Sequence, residues 1–298
     1  MKYHNRERLW DASDFAFQMN PGLPVFRRTP KYGGMAVYCG AVFFDMDGTL
    51  VDGRDGILSV TPRTRRAIAR LRENGYLAGL ATGRAKCYLP PEADLFDCLV
   101  TSNGAYAEAD GRTACDCSVD PQVLRDVRAY LERSGINYLL ECQEGCYVHD
   151  IHEYWYNQMM ERFHWDRSRF FPLTEDSPLR ANKLMVMYDS MDKLYRFQRD
   201  FGDRFDITEQ PVNQSADVGI RGISKGYGVG RVMELLGIPR ESTWAFGDAD
   251  NDLEMLKTVG CGVAMGRHTE AVRKAAQFVT GTVREDGVAA ALEKLGLI

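Results

Sequence analysis

The sequence has no run of about 18 uncharged apolar residues, the length that a membrane-spanning helix requires. It also has no excess of positive charge, because 37 Lys and Arg residues face 42 Asp and Glu residues and the formal net charge is −5. General nucleic-acid binding depends on neutralising phosphates, so such a chain is a poor candidate for it. The N-terminus lacks the positive-then-apolar order of a signal peptide. We therefore predict a cytoplasmic protein without a nucleic-acid or membrane partner.

The eight cysteines do not suggest a disulfide scaffold in a chain of 298 residues. Two close pairs occur, Cys115 with Cys117 and Cys142 with Cys146, but neither has the spacing and the second half that are typical of a zinc site. Free thiols in a reducing compartment are the better interpretation. The remaining composition, 45% hydrophobic and 27% charged, is that of a globular protein long enough for two domains.

The first forty residues differ from the rest, because they mix charged and aromatic residues with Pro and Gly and show no periodicity. We predict that residues 1–40 form an N-terminal extension of the main fold. Met35 stands shortly before the first strong apolar run and is a candidate alternative start of the chain.

A regular alternation of strands and helices begins after this segment. Residues 41–44 are apolar without alternation, as expected of a strand that is buried on both faces. Thr61 and Pro62 then open a helix. The alternation with short connections predicts an α/β fold with a parallel sheet covered by helices. Its further strands are predicted at residues 77–81, 99–100, 243–246, 262–264 and 278–279.

The middle of the chain has a different pattern. It combines one helical pattern at residues 122–134, an aromatic-rich stretch and a strand-like run at residues 183–188. We predict that residues 119–214 form an inserted α+β domain. The core would then consist of residues 41–118 and 215–298.

Polar side chains follow the predicted core strands at the point where each strand ends. Ligands of open parallel sheets sit at the carboxyl ends of the strands, where the loops converge. Four carboxylates gathered there would repel one another without a cation, and hard oxygen ligands favour Mg²⁺. The residues that the pattern brings to this edge are Asp45, Asp47, Thr82, Asn103, Asp248 and Asp252.

The spacing of Asp45 and Asp47 suggests that the two carboxylates have different roles at one site, since residues i and i+2 after a strand can both reach it. One carboxylate could attack a phosphorus atom, which is covalent catalysis. The other could protonate the leaving oxygen and later deprotonate water. Phosphoryl transfer also needs positioning and charge neutralisation. Thr82 is the candidate hydroxyl donor and Lys225, at the head of a predicted helix, is the candidate lysine.

Four ordered segments carry a resemblance to a known family. The chain resembles the haloacid-dehalogenase-like hydrolases and is most similar to their Cof-type phosphatase subfamily. This resemblance implies a Rossmann-like core and an inserted α/β cap of the type called C2. The segments are Phe-Asp-Met-Asp-Gly-Thr-Leu at 44–50, Ala-Thr-Gly-Arg at 81–84, Ser-Lys-Gly at 224–226 and Gly-Asp-Ala-Asp-Asn-Asp at 247–252.

The resemblance also implies residue roles. Asp45 would be the nucleophile, Asp47 the acid/base, and Thr82 and Lys225 the groups that hold the phosphoryl. Mg²⁺ would be bound by Asp45, the main-chain carbonyl of Asp47 and Asp248, and Asp252 would support the site. The substrate-binding set implied in this way consists of Thr82, Gly83, Arg84, Asn103, Lys225 and Asn251.

Several residues allow two interpretations. The aromatic residues of the insertion could stack on a substrate ring or form the core of the cap, and the second interpretation is the better one, with one or two exposed exceptions. His149, His152 and His164 could be metal ligands or ordinary polar histidines, and the second interpretation is the better one. Arg84 and Lys86 could meet a second anionic group of a substrate or could cap the helix after Thr82.

We predict a Mg²⁺-dependent phosphatase that hydrolyses a small phosphorylated metabolite, with a sugar phosphate as the expected substrate. The alternatives are a phosphotransferase or phosphosugar mutase using the same aspartyl-phosphate, and a non-catalytic binding protein. Dehalogenase chemistry is less suitable, because a leaving halide needs no proton from Asp47. The expected assembly is a monomer or a homodimer.

Overall fold

The computed structural model describes residues 37–163, 165–210 and 213–298. Most of the predicted extension, including Met35, therefore lies outside the described residues, and so does His164. None of the helices within the described ranges combines the length and the apolar composition needed to cross a membrane.

Fourteen strands are found in the described residues. In chain order they are β1 (Gly40–Phe44), β2 (Tyr76–Ala81), β3 (Cys98–Thr101), β4 (Tyr106–Ala109), β5 (Arg112–Asp116), β6 (Asn137–Glu141), β7 (Cys146–Val148), β8 (Phe170–Pro172), β9 (Lys183–Met187), β10 (Phe205–Gln210), β11 (Ser215–Ile220), β12 (Thr243–Gly247), β13 (Cys261–Ala264) and β14 (Phe278–Val279).

Eight α-helices accompany these strands in the same ranges. They are α1 (Pro62–Glu73), α2 (Pro121–Arg133), α3 (Tyr154–Phe163), α4 (Met191–Phe201), α5 (Lys225–Leu236), α6 (Leu253–Thr258), α7 (Glu270–Ala275) and α8 (Gly287–Lys294).

The strands form two sheets. The first has the order β14-β13-β12-β1-β2-β3-β4-β5 and is parallel from β14 to β3. Its central strand β1 is buried on both faces: Val42 and Phe44 face one apolar cluster, and Ala41 and Phe43 face the other. This is why the run at residues 41–44 does not alternate. The predicted α/β fold with a parallel-sheet core is confirmed.

The second sheet has the order β10-β11-β9-β6-β7-β8 and is antiparallel except for the β7–β8 pair. One of its faces packs against α2 and α4. The strand β11 pairs with β9 and β10, although the predicted boundary at residue 214 places it in the core. Local sequence pattern does not reveal which strands pair, and from this pairing we propose that the inserted domain extends to Ile220.

The other face of the second sheet contacts the first domain. Tyr88, shortly after β2, packs with its ring centroid 4.6 Å from Trp165 and 5.6 Å from Phe170. The aromatic residues of the insertion thus pack largely among themselves and on Tyr88, whereas Tyr154 and Phe171 are exposed.

Three successive residues with positive φ follow β3 at the carboxyl edge of the first sheet. They are Ser102, Asn103 and Gly104. The φ of Gly104 is +92°, and a Cβ atom there would lie 1.9 Å from the carbonyl oxygen of Ser224. Ser224 caps α5 by accepting a hydrogen bond from the Tyr227 amide. The turn therefore sits directly against the start of α5, and only a glycine allows this approach.

We expect the substitution Gly104→Ala to lower the free energy of unfolding by about 2–4 kcal/mol, because left-handed strain and a clash with the backbone add together. The midpoint of urea unfolding measures the loss. Gly111→Ala is the matched control, since Gly111 also has a positive φ but a Cβ atom there would meet no neighbour within 4 Å. It should cost about 1 kcal/mol, and equal losses in both variants would contradict the packing argument.

Candidate active site

Polar residues gather at the carboxyl edge of the first sheet. Asp45 follows β1, Thr82 follows β2, and Asp248 follows β12. Lys225 is the first residue of α5. Because the parallel strands all end at this edge, side chains that are far apart in the sequence come together there.

The ammonium of Lys225 is buried and lies between two carboxylates. Its Nζ atom donates to Asp45 Oδ1 at 2.6 Å and to Asp252 Oδ1 at 2.7 Å. Burial lowers the pKa of Lys225, but the two carboxylates outweigh this effect and raise it above its ordinary value. Lys225 is therefore a fixed positive charge at the centre of the cluster.

Asp252 shapes the loop that carries Asp248. Its second oxygen, Oδ2, accepts hydrogen bonds from the backbone amides of Asp248 at 2.9 Å and Ala249 at 3.1 Å. Both oxygens of the fully buried Asp252 side chain thus have protein partners. Asp252 therefore links the ammonium of Lys225 to the loop of Asp248.

The buried carboxylates of Asp45 and Asp248 are not fully compensated. Burial first, and Asp252 second, raise the pKa of Asp45 well above its ordinary value and that of Asp248 to about 7, while Lys225 opposes both shifts. Asp248 Oδ1 is buried and has no hydrogen-bond partner within the described residues. Its other oxygen lies 3.7 Å from the guanidinium of Arg54.

This donor set fits a divalent cation. Asp45, Asp248 and Asp252 each offer a carboxylate oxygen, and these atoms lie within 4.8 Å of one another. Three carboxylates against the single ammonium of Lys225 leave an excess of negative charge, and an unpartnered buried oxygen is available. Hard oxygen donors of this kind suit Mg²⁺.

The side chain of Asp47 lies apart from this triad. It is exposed and forms a two-fold contact with Arg84, whose Nε and Nη2 atoms lie 3.0 and 2.7 Å from its two oxygens. Neither of the two interpretations of Arg84 anticipates this contact. Lys86, treated together with Arg84 in those interpretations, pairs instead with Glu108 at 2.6 Å.

The remaining predicted substrate residues lie on three segments, which follow β2, β3 and β12. We call residues 82–84 the Thr82 loop. The Arg84 amide donates to Thr82 Oγ1 at 3.2 Å, and the Asn103 amide donates to the Thr82 carbonyl at 3.2 Å. Asn251 Nδ2 donates to Asn103 Oδ1 at 3.3 Å. The structure thus brings Thr82, Asn103 and Asn251 to the same edge as the carboxylates.

The histidines show no metal cluster within the described residues. His149 stacks on Tyr138 with ring centroids 5.0 Å apart. The triad of Asp45, Asp248 and Asp252 is the one group of three candidate ligands in the described part of the chain, and it contains no histidine.

Sequence reasoning missed two contributions to the site. The first is the pair of Asp52 and Arg54, which directly follows the first motif. The guanidinium of Arg54 forms ion pairs with the buried Asp52 and with Asp248. Its position next to the motif was a signal that sequence reasoning could have used. The second is Lys183 of β9, whose Nζ atom donates to the carbonyl of Gly83 at 3.0 Å. No local pattern could have linked these two residues, because a hundred positions separate them.

Lys183 belongs to a buried charge cluster of the second sheet. Its Nζ atom lies 2.8 Å from Asp217 Oδ1 and 3.3 Å from Glu141 Oε1. Glu141 is completely buried, and this burial raises its pKa to about 7 although Lys183 acts in the opposite direction.

The family resemblance extends over most of the chain. The sequence profile of the haloacid dehalogenase-like hydrolases matches residues 42–292. The chain belongs to this family. The hydrolase has the Cof-type pattern predicted for it, and its second sheet with α2, α3 and α4 is the cap.

Relatives with assigned names support the class of enzyme. A Bacillus subtilis phosphatase, 5-amino-6-(5-phospho-D-ribitylamino)uracil phosphatase YitU, is 26% identical, over 85% of this chain and 96% of that one. A Streptococcus pyogenes protein described as a bifunctional phosphatase and peptidyl-prolyl cis-trans isomerase is 29% identical over 86% of this chain, which spans only 54% of that relative.

A solved structure has the same architecture. The subclass IIB sugar phosphatase BT4131 superposes with a TM-score of 0.74 at 25% identity, covering 87% of this chain and 100% of that one. Family membership and these relatives show that the hydrolase is an enzyme of the phosphatase class, which confirms that prediction.

The buried Glu141 makes stability depend on pH. Because its pKa is raised in the folded chain, folding takes up a proton between pH 4.5 and about 7, and the stability that this provides is lost as the pH rises through that window. Through Glu141, the free energy of unfolding of the wild type should fall by roughly 3 kcal/mol across this window. We expect Glu141→Gln to lack this decrease.

Thermal unfolding at a series of pH values from 4.5 to 8 measures the effect. Glu144→Gln, an exposed glutamate of the same hairpin, is the matched control and should keep the wild-type slope. A wild-type slope in Glu141→Gln would show that Glu141 is ionised throughout.

Proposed function

We propose that this hydrolase is a Mg²⁺-dependent phosphatase that cleaves a small phosphorylated metabolite through an aspartyl-phosphate on Asp45. The observation that carries the proposal is the contact of the Asp45 carboxylate with the buried ammonium of Lys225 at 2.6 Å, beside two further buried carboxylates. This arrangement supports a nucleophile held in one orientation at a site built for a cation and a phosphoryl group.

Asp45 attacks as the ionised carboxylate. Lys225 favours that form through its charge, while burial and Asp252 disfavour it. Asp45, Asp248 and the main-chain carbonyl of Asp47 would hold Mg²⁺, and Asp252 would fix the loop of Asp248. A bound Mg²⁺ adds the positive charge that this cluster lacks and neutralises charge on the phosphoryl oxygens.

Asp47 acts as the acid and then as the base. Its exposed carboxylate stands two residues after the nucleophile and is oriented by Arg84. In the first step it gives a proton to the leaving alkoxide, and in the second it removes a proton from the water that attacks the phosphorus. Thr82 and Lys225 donate hydrogen bonds to the transferring phosphoryl group.

The expected substrate is the phosphate ester of a sugar or a related polyol. Two compared proteins support this class, since one is named a sugar phosphatase and the other acts on a phosphoribityl compound. The cap contacts the first domain beside the proposed site, because Lys183 donates to the Gly83 carbonyl and Trp165 packs on Tyr88. We therefore expect cap residues to lie close to the leaving group of the substrate.

The direct test is phosphate release from a panel of esters, with and without Mg²⁺. We expect wild type to release phosphate only with Mg²⁺ and Asp45→Asn to release none, because an amide cannot form the acyl phosphate. Sugar phosphates, glycerol phosphate and pyridoxal phosphate should be included. Turnover by a folded Asp45→Asn variant would remove Asp45 as the nucleophile, and transfer to an added sugar instead of water would favour the phosphotransferase alternative.

The role of Asp47 is tested by the leaving group. Asp47→Asn should slow hydrolysis of alkyl phosphates by about 10²–10⁴-fold, because an alkoxide needs a proton as it departs. The loss should be smaller with p-nitrophenyl phosphate, whose leaving group is stable without a proton. Single-turnover rates for both esters in both proteins give the comparison, and an equal loss would argue against an acid role.

A further inference from the structure

A lysine of the cap contacts the loop that carries the Thr82 hydroxyl. Lys183 is the first residue of β9, its side chain is 2% exposed, and its Nζ atom donates to the carbonyl oxygen of Gly83 at 3.0 Å. Gly83 lies in the middle of the Thr82 loop. A charged group of one domain is therefore hydrogen-bonded to the backbone of the other at the proposed catalytic site.

The peptide that Lys183 contacts also contacts Thr82. The carbonyl of Gly83 and the amide of Arg84 belong to one planar peptide unit, so fixing the oxygen fixes the direction of the N–H. That N–H donates to Thr82 Oγ1 at 3.2 Å. Since Oγ1 accepts this bond, its own proton is directed to another acceptor, such as a phosphoryl oxygen.

Lys183 is itself held in place. Asp217 and Glu141 lie on the neighbouring strands β11 and β6, and both carboxylates contact its ammonium. Burial lowers the pKa of Lys183, but the two carboxylates outweigh burial and raise it, so that the side chain stays protonated.

The preceding residue joins the same strand to the first domain. Asn182 Nδ2 donates to Asp116 Oδ1 at 2.9 Å and to the carbonyl of Cys117 at 2.6 Å. The start of β9 is therefore anchored on the side of the first domain, and the Lys183 side chain reaches Gly83 from an anchored backbone.

We infer that Lys183 is a positioning residue for phosphoryl transfer, which orients the Thr82 hydroxyl through the Gly83–Arg84 peptide. Lys183 thereby links the position of the cap to the orientation of the hydroxyl that binds the phosphoryl group. The inference rests on the proposed function. It assigns a role in the chemical step to a cap residue that need not touch the substrate.

The first test is the variant Lys183→Met. Loss of the contact should lower kcat by about 10- to 100-fold, because small misplacements of a catalytic group have effects of this size. The fall should be the same for all esters, with KM within about threefold. A fall that varies with the leaving group, or a change in KM alone, would show that Lys183 binds the leaving group and would overturn the inference.

Lys193→Met is the matched control. Lys193 also donates to a glycine carbonyl, that of Gly135 at 3.0 Å, and pairs with Asp189 at 2.9 Å, but these partners lie within the cap. Its kcat should stay within about twofold of wild type. An equal fall in both variants would mean that loosening the cap in general explains the effect, and would overturn the inference.

A double-mutant cycle with Thr82→Val separates positioning from general damage. If Lys183 acts through the Thr82 hydroxyl, Lys183→Met should cost little more in the Thr82→Val background. Full additivity of the two losses would overturn the inference.

Unpaired carboxylates could unfold Lys183→Met, so Lys183→Met/Asp217→Asn provides a second variant with the wild-type net charge in the cluster. The double variant should show the same fall in kcat, and wild-type turnover in either folded variant would overturn the inference.

Binding of orthovanadate, measured by the shift in Tm, gives a readout without turnover. Lys183→Met should bind it about tenfold more weakly than wild type and Lys193→Met. If wild type hydrolyses no ester but binds vanadate in this Lys183-dependent way, the proposed function fails while the role of Lys183 in the loop is supported. Wild-type affinity in Lys183→Met, or no binding by any of the proteins, would overturn the inference.

Discussion

The charge balance around the buried ammonium of Lys225 is the constraint on which the rest of the site depends. One positive charge lies between Asp45 and Asp252, at 2.6 and 2.7 Å, with Asp248 close by. Removing one partner of such a buried pair commonly costs about 3–5 kcal/mol, because the other charge remains in a poorly solvating environment. The remaining negative charge is what makes the site suitable for a divalent cation.

The fold supplies this balance by bringing four separate segments to one edge. Asp45 and Asp248 follow the neighbouring parallel strands β1 and β12. The turn at Gly104 allows α5 to begin close to them, so that Lys225 contacts Asp45 and Asp252. Asp252 then serves two purposes, since one of its oxygens contacts the ammonium and the other fixes the loop of Asp248. The packing around the sheet therefore also determines the charge balance of the site.

The sequence allowed prediction of whatever depends on local pattern. The buried strand at residues 41–44, the helix opened by Thr61 and the ordered polar residues at strand ends are short-range features. Long-range contacts could not be predicted in this way. The ion pair of Lys183 with Asp217 depends on the register of the second sheet, and the hydrogen bond from Lys183 to Gly83 depends on the position of the cap on the first domain. The pairing of β11 with β9 and β10, on which the proposed extension of the inserted domain to Ile220 rests, is also a long-range feature.

Covalent catalysis by Asp45 is the central claim about this site. The most direct measurement is acid quenching of the Mg²⁺-loaded enzyme during turnover, followed by peptide mass spectrometry. We predict a phosphoryl adduct on the peptide that contains Asp45, formed and lost at rates compatible with kcat. Turnover at full rate with no adduct, or with the phosphoryl group on another residue, would contradict the claim.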